Sequence, residues 1–574
     1  MGRLSKLVCI TTAALGAAVV MYIGFGLPAA TRQLAPAAPG VVYGAYHVHT
    51  DRSDGSGTLD DVAKAAARAG LQFVIVTDHG DATRVPEPPH YRDGVLLIDA
   101  VEISTASGHL VALGLDRASP YPLGAEARDT IEDVHRLGGW TVVAHPDSSK
   151  SGLRWLGARQ EMALDGIEWL NADSEWRNKS SWRLLAAAGH YLLRPPEAIA
   201  SIFDRPSASL RRWDQLNTAH HITGLAAVDA HARIGLDETA APGQTRTFLA
   251  RPSYEDMFRT IVQAVELGAP LTGEPSNDAT AILESMRHGR TFTVVNALAH
   301  PGQVTFTATD GTLAASMGES LPSDRPVQLY ATVPAPADAT VALLRNGRTV
   351  AAGRGSVAFQ HVGAAANYRV EVSLPGHAVP WIVTNAIRTG AMPATPGGRP
   401  PATTPPPVGS VRQLRDRTLW AVEKHPASTG EISAEAGAMA LQFGLAPGRT
   451  NGQYAALAYP LGGQDSFDRI TLTLRASADM RVSIQVRLPI GPDGERWQRS
   501  VYVGPTSRTV TLRLEEFEPT NANTSRRPIV ARLESLLVVV DTWHTSPGTV
   551  GTVWVSRVSL ASPNVNGGGP TSER

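Results

Sequence analysis

Residues 43–80 read YGAYHVHTDRSDGSGTLDDVAKAAARAGLQFVIVTDHG and decide how the first part of this 574-residue chain folds. The apolar residues around Tyr43 predict a short strand. His47 and His49 stand two residues apart near its end, so they share one face of the strand. Two imidazoles on one face could hold one metal ion.

The rest of this segment predicts a helix followed by a second strand. Thr58 and Asp61 have the spacing of a capping box, and Gly70 is placed to end the helix that it starts. The uninterrupted apolar run at residues 73–76 predicts a strand that is buried on both faces, as in a parallel sheet. A strand, a helix and a second strand in this order are typical of α/β folds.

Polar side chains recur where the apolar runs of the chain end. Asp78 and His79 directly follow the run at residues 73–76. A single histidine at such a place is more often a hydrogen-bonded structural residue than a ligand. Later apolar runs, however, are followed by Glu102, His145, Asn171 and Asp229. In addition, His109 begins an apolar run, and His231 follows Asp229 by two residues. Because α/β folds carry their chemistry at strand carboxyl ends, this recurrence favours a functional site.

The motifs HVHTDRSDG, TDHG, VEISTASGH, AHP and DAH, in this order, resemble the motif regions of the PHP (polymerase and histidinol phosphatase) superfamily of metal-dependent hydrolases. Within it, the run VEISTASGHLVALGL is most similar to the branch of carbaryl-hydrolase-like proteins. The resemblance implies a distorted (β/α)7 barrel with up to three metal ions at the carboxyl-terminal rim of its strands.

The resemblance also implies a set of metal ligands. It assigns His47, His49, Glu102 and Asp229 to a first ion, Glu102, His109 and His145 to a second, and Asp54, His79 and His231 to a third. Nitrogen and oxygen ligands without sulfur suit two or three divalent ions of zinc, manganese or iron. Asp78 is expected to orient a neighbouring ligand. Arg52 and Arg84 are the basic side chains that could bind a phosphate near the ions.

Composition limits the classes of partner. The chain has 52 lysines and arginines against 53 aspartates and glutamates, a net charge of −1, so nothing in its charge recruits nucleic acid. Cys9 is the only cysteine, which excludes a disulfide within the chain and cysteine ligands in the remainder.

The N-terminal region contains an uncharged run, residues 7–30, preceded by Arg3 and Lys6. This run exceeds the roughly 20 residues that span a bilayer. We therefore expect an uncleaved transmembrane anchor with the rest of the chain outside the cytoplasm. The alternative is a signal segment cleaved near residues 35–37, after which the protein would be secreted.

We expect an α/β fold in which the barrel is followed by two all-β sandwich domains. The predicted domains are an anchor or signal segment (1–38), the PHP barrel (39–300), a small β-sandwich (301–388), a proline-rich linker (389–409), a jelly roll similar to carbohydrate-binding modules (410–562) and a disordered tail (563–574). Residues 176–223 interrupt the barrel pattern as an insertion, which either walls the mouth of the site or extends the packing. Four tryptophans of the jelly roll, Trp420, Trp497, Trp543 and Trp554, could stack on sugars or belong to its core.

These features predict an extracytoplasmic metal-dependent phosphoesterase. A metal-bridging hydroxide would hydrolyse a phosphodiester in an envelope glycan, glycolipid or phospholipid. The first alternative is a metal-dependent hydrolase of carboxyl esters, amides or carbamates, which the carbaryl-hydrolase-like resemblance favours. The alternative from another class is a surface glycan-binding protein whose PHP barrel is a non-catalytic scaffold, and the complete ligand set argues against it.

Overall fold

The computed structural model describes residues 12, 16, 26–33, 40–157, 163–235, 247–333, 336–390, 408–414, 416–435, 437–448, 452–462, 467–488, 495–520 and 527–563. The chain forms two compact units. The first comprises Met1–Gly80, Val85–Arg117 and Ile131–Thr395, and the second comprises Asp81–Arg84, Ala118–Thr130 and Pro396–Arg574. Every strand of the predicted barrel belongs to the first unit.

Strands and helices alternate through the barrel region. Its strands are β1 (Arg32–Gln33), β2 (Val41–Val48), β3 (Phe73–Val76), β4 (His90–Arg92), β5 (Val95–Asp99), β6 (Val101–Thr105), β7 (Gly108–Leu113), β8 (Trp140–Val143), β9 (Gly166–Asn171), β10 (Thr223–Ala227), β11 (Ile234–Gly235), β12 (Thr247–Leu249), β13 (Val262–Glu266) and β14 (Thr291–Val294). Its helices are α1 (Leu59–Ala69), α2 (Ala127–Arg136), α3 (Ala172–Arg177), α4 (Ser181–Tyr191), α5 (Pro195–Ala200), α6 (Ser207–Ala219), α7 (Tyr254–Phe258) and α8 (Pro275–Arg287).

The local predictions for the first helix and strand are confirmed. Thr58 caps α1 and forms a capping box with Asp61, and Gly70 ends the helix with a left-handed φ of 76°. Gly70 has no Cβ to clash in this conformation. All four residues of β3 are buried, and β3 pairs in parallel with β2 and β5.

The barrel is a ring formed by β2, β3, β5, β7, β8, β9 and β10, in which β6 continues β5. Strands β8, β9 and β10 are parallel neighbours. The ring closes where Val228 N donates to Tyr46 O at 3.0 Å. An isolated parallel bridge between His79 and Glu102 joins the end of β3 to β6. The last residues of β2, β3 and β10 and the start of β6 therefore lie at one rim.

The ring departs from a uniform parallel pattern at β7. This strand is antiparallel to both β6 and β8, because a tight turn at Gly108, with φ 114°, reverses the chain after β6. In the resulting hairpin Ser104 is the register partner of His109. Because β7 is antiparallel to β8, its start lies beside the end of β8, where Ala144 N donates to His109 O at 3.1 Å. His109 therefore precedes its apolar run while the other polar residues follow theirs.

The region after the barrel shares a sheet with it. Its strands are β15 (Ala299–His300), β16 (Thr305–Thr309), β17 (Ala314–Ser316), β18 (Ser320–Leu321), β19 (Val327–Thr332), β20 (Thr340–Arg345), β21 (Arg348–Arg354), β22 (Ser356–His361), β23 (Ala366–Ser373), β24 (Ile382–Thr384) and β25 (Ile387–Thr389). A hairpin turn at Asn346 and Gly347, with φ values of 46° and 79°, connects β20 to β21. Strand β24 pairs with β14, so the predicted boundary at residue 300 is not a break in the sheet.

The second unit contains two six-stranded sheets. Its strands are β26 (Val408–Gln413), β27 (Ala421–Lys424), β28 (Thr429–Glu435), β29 (Ala438–Gly444), β30 (Tyr454–Pro460), β31 (Arg469–Ala476), β32 (Met480–Arg487), β33 (Arg496–Val503), β34 (Arg508–Arg513), β35 (Glu518–Pro519), β36 (Ser535–Asp541) and β37 (Val550–Pro563). Short 3₁₀ helices cover Arg417–Leu419, Leu514–Glu516 and Val530–Arg532. Most of the predicted linker (389–409) and nearly all of the predicted tail lie outside the described residues.

The four tryptophans of this unit have different environments. Trp497 and Trp420 are buried, as expected for tryptophans that belong to the core of the domain. The guanidinium carbon of Arg475 lies 3.9 Å from the ring centre of Trp554. Trp543 is 52% exposed. The four rings therefore do not form a common exposed platform.

The predicted insertion folds as helices α3 to α6. On α6, Leu210, Trp213 and Leu216 are buried, and Trp213 Nε1 donates to Ile222 O at 2.9 Å, so this helix serves packing. Among the residues that the structure describes, no helix is long and apolar enough to cross a membrane. The predicted anchor, residues 7–30, lies mostly outside them and stays a prediction.

Candidate metal centre

Glu102 is the centre of the predicted site. Its side chain is 1% exposed, and five histidines surround its two oxygens. Oε1 lies 2.8 Å from His109 Nδ1 and 2.9 Å from His145 Nε2. Oε2 lies 3.2 Å from His47 Nε2, 3.3 Å from His49 Nε2 and 3.3 Å from His79 Nδ1. The two oxygens thus face two different groups of imidazoles.

Two aspartates extend the cluster on the side of Oε2. Asp229 Oδ1 lies 3.3 Å from His49 Nε2 and 3.5 Å from His47 Nε2. Asp54 Oδ2 lies 3.2 Å from His231 Nε2, and Asp54 Oδ1 lies 3.8 Å from His79 Nε2. All nine predicted ligands therefore lie in one continuous cluster at the rim.

In the part of the chain that the structure describes, three overlapping groups have ligand atoms close enough to share an ion. They are His47, His49 and Asp229; His79, Glu102 and His109; and His49, Asp54, His79 and His231. The first and third resemble the predicted first and third sets. The second differs, because it holds His79 where the resemblance implies His145. His145 contacts the same Glu102 oxygen as His109, so it lies beside this group.

The backbone is strained at three of the clustered residues. His47, His145 and Asp229 have φ values of 68°, 32° and 48°. Residues other than glycine rarely adopt this left-handed backbone conformation, and such strain concentrates at functional sites. His47 is the penultimate residue of β2, and His145 and Asp229 lie two residues beyond β8 and β10. The strained backbone at these strand ends turns their side chains into the cluster.

The donor atoms fit divalent cations. His49 Nε2 and His79 Nδ1 are buried without a hydrogen-bond partner, although each lies 3.3 Å from Glu102 Oε2. Buried imidazole nitrogens are normally hydrogen-bonded, and a lone pair directed at a cation would satisfy them. The nitrogen and oxygen donors suit zinc, manganese or iron.

Burial and charge set the protonation of the cluster. Burial opposes ionisation of Glu102, but His79, His47 and His109 hold its pKa well below the usual value. Burial also lowers the pKa of His49 and His145, yet neighbouring carboxylates, chiefly Asp229 and Glu102, raise these pKa values to about 10 and about 9. Without cations, the ionised carboxylates therefore hold protons on His49 and His145, and cations must displace these protons.

Glu168 is a buried member of the site that the sequence prediction missed. It accepts hydrogen bonds from His47 Nδ1 at 2.7 Å, from His145 N at 2.8 Å and from Asn171 Nδ2 at 2.9 Å. Asn171 Nδ2 also lies 3.0 Å from Asp229 Oδ2. The available signal was a glutamate inside the otherwise apolar run GIEWL, where a charge needs a partner.

Asp78 holds the loop that follows His49. It accepts hydrogen bonds from Thr50 N at 2.7 Å, Thr50 Oγ1 at 2.6 Å and Ser53 Oγ at 2.6 Å. Ser53 Oγ lies 3.5 Å from His49 Nδ1. Asp78 thus contacts the loop beside His49, and the orienting role expected for it stays a prediction.

The three arginines near these motifs in the sequence have different surroundings. Arg52 pairs with Glu87 at 2.6 Å and lies 3.6 Å from Asp99, so its charge is engaged by these two carboxylates. Arg84 is exposed and belongs to the second unit. Arg233, two residues after His231, was not predicted, and its Nη2 lies 3.7 Å from Asp54 Oδ2.

Fold and site together define an α/β barrel with a histidine and carboxylate cluster at its rim. Residues 45–115 match the family model of the PHP domain. This match and the cluster support a domain of the PHP superfamily in the first unit.

Related proteins cover different parts of the chain. Over 115 residues the chain is 31% identical to the uncharacterized protein MJ1587 of Methanocaldococcus jannaschii, which is 20% of this chain and 65% of that relative's length. A two-domain protein from Bacteroides vulgatus, containing a predicted PHP-like metal-dependent phosphoesterase, aligns over 62% of this chain and 98% of its own, with 14% identity and a TM-score of 0.30. A family 11 carbohydrate-binding module of Clostridium thermocellum aligns over 27% of this chain and 98% of its own, with 13% identity and a TM-score of 0.23. At these scores neither structural likeness bears on function.

Proposed function

We propose that the protein is a metal-dependent phosphoesterase of the PHP type. One observation carries the proposal: both oxygens of the buried Glu102 face imidazole groups, two at Oε1 and three at Oε2. A carboxylate between two sets of nitrogen ligands is suited to bridge two cations, and such pairs are typical of hydrolases that act on phosphate esters.

The nine clustered residues would hold the cations, with Glu102 between two of them. Divalent cations bound here supply an activated water and offset the negative charge that develops on the substrate oxygens. Glu168 accepts from His47 Nδ1, which fixes the His47 tautomer and leaves Nε2 as the ligand atom facing Glu102. The burial of Glu102, His47 and His49 excludes bulk water, which strengthens every charge interaction at the rim.

The position of Arg233 supports a phosphate substrate. Its guanidinium lies at the Asp54 edge of the cluster, and its side chain is 12% exposed. An arginine presents several donors to the oxygens of a phosphate and remains charged, which suits an anionic ester. Arg52, engaged by Glu87 and Asp99, is the weaker candidate for this role.

The finer identity of the substrate is part of the proposal. A phosphodiester in an envelope glycan, glycolipid or phospholipid fits an enzyme outside the cytoplasm, and the uncharged run at residues 7–30 supports that location. Hydrolysis of a carboxyl ester, amide or carbamate is the alternative for the same cations, and the carbaryl-hydrolase-like resemblance remains its support. The glycan-binding alternative receives no support from the tryptophans, of which Trp497 and Trp420 are buried.

The test compares three substrates on the full chain, stripped of metal and reloaded with zinc, manganese or iron. We expect metal-dependent turnover of bis-p-nitrophenyl phosphate, faster than that of p-nitrophenyl phosphate and absent in His47→Ala and Asp229→Ala. Metal-dependent turnover of p-nitrophenyl acetate alone would establish the carboxyl-ester alternative. Glu87→Gln is the matched control, since it changes a carboxylate that pairs with Arg52 and lies outside the cluster.

A further inference from the structure

Helix α4 after its first residue, together with the two leucines that follow it, has an apolar exposed side. From Trp182 to Leu193, each exposed residue is either hydrophobic or glycine. The largest of them are Trp182 (71% exposed), Leu185 (75%), Leu192 (84%) and Leu193 (54%), which we call the α4 face. The polar residues Arg183 and His190 lie on its half-buried side.

This pattern is the reverse of an ordinary surface helix. Helices at a protein surface direct their apolar stripe to the core and their charged residues to solvent. On α4 the inward side is held by buried Ala187 and by Arg183, whose guanidinium pairs with Asp204 at 2.9 Å. Contiguous exposed apolar residues of this kind mark a surface that meets another apolar phase.

The main chain that leaves the uncharged run of residues 7–30 is fixed beside this face. Arg194, which directly follows Leu193, donates to the carbonyl of Pro28. Thr31 N and Oγ1 both donate to Glu197 Oε1 at 3.0 Å. The end of the uncharged run therefore lies next to these exposed leucines, although Pro28 and Arg194 are 166 positions apart in the sequence.

We propose that the α4 face rests on a lipid bilayer. Tryptophan is favoured at the level of the headgroups, and leucines on the exposed side of a helix can enter the acyl boundary. The α4 face carries no charge, and Asp204 neutralises the neighbouring Arg183. The face therefore suits lipid better than it suits an acidic partner. A bilayer at this place would also contain the uncharged run, whose end at Pro28 lies beside the α4 face.

The test measures contact between lipid and the α4 face directly. The full chain carrying Cys9→Ser and Leu185→Cys is labelled with a fluorophore sensitive to polarity and reconstituted with vesicles of phosphatidylcholine and phosphatidylglycerol. Brominated phosphatidylcholine is the quencher. The matched control is Leu313→Cys in the same background, because Leu313 is also more than half exposed and lies in the β region of the same unit.

We expect the label at position 185 to shift to the blue and lose most of its emission to brominated lipid, while the label at 313 keeps its emission. The quenching should persist at high salt, since the face is uncharged. A label at 185 that stays unquenched, whether its environment is aqueous or apolar, would overturn the proposal. An apolar but unquenched environment would show instead that another part of the chain, or a second copy, covers the face.

Discussion

Replacing Glu102 by glutamine is the sharpest perturbation of the site. The substitution conserves shape but removes the negative charge that five imidazoles approach within 2.8 to 3.3 Å. It also places an amide NH₂ against ring nitrogens that must direct lone pairs at cations. Removing one partner of a buried charged pair costs about 3–5 kcal/mol. Since about 1.4 kcal/mol is a factor of ten, metal affinity should fall on the order of a hundred- to a few-thousand-fold.

The assay is a titration of metal-free protein with manganese or zinc in competition with a chromophoric chelator. Circular dichroism of the same samples checks that Glu102→Gln is folded. The Glu87→Gln variant should bind like the wild type, because Glu87 is 42% exposed and contacts Arg52 instead of the cluster. If Glu102→Gln bound as many ions as the wild type with equal affinity, the bridging role of this carboxylate would be refuted.

Three further outcomes follow from the same geometry. Glu168→Gln should weaken metal binding about 10- to 100-fold, as measured by chelator competition, because it removes the charged acceptor behind a ligating imidazole. Arg233→Ala should lower kcat/KM for a phosphate diester about tenfold or more and leave p-nitrophenyl acetate unchanged, whereas Arg52→Ala should change neither. Because the pKa values of His49 and His145 are raised to about 10 and about 9, their stabilising charge is complete below about pH 6.5 and lost as pH rises through 9 to 10. The melting temperature of metal-free protein should therefore decrease as the pH is raised from about 7 to 10, whereas that of metal-loaded protein should stay constant over this range.

The sequence predicted the parts of the site that depend on local pattern. The helix capped by Thr58 and the buried strand at residues 73–76 follow from periodicity and capping, which are local. The polar residues at strand ends could be assigned to one candidate site because parallel strands bring their carboxyl ends to one rim. His109 differs from the others because it begins an apolar run instead of following one, and the β6–β7 hairpin now explains its position.

The remaining features depend on contacts between distant segments. Strand β24 pairs with β14 and so joins the region after residue 300 to the barrel sheet. The two strands are far apart in the sequence, and no local sequence pattern predicts their pairing. Arg233 was overlooked because nothing in sequence shows which arginine lies near Asp54. Arg52, adjacent to the motif in sequence, turns instead to Glu87 and Asp99.

The central claim is that the cluster around Glu102 is a metal centre. Anomalous diffraction from crystals of the manganese- or zinc-loaded full chain tests it most directly. We predict difference peaks beside both oxygens of Glu102, one shared with His109 and the other with His47 and His49, at about 2.0–2.2 Å from the ligand atoms. An empty cluster under saturating metal, or ions bound only elsewhere, would contradict the account.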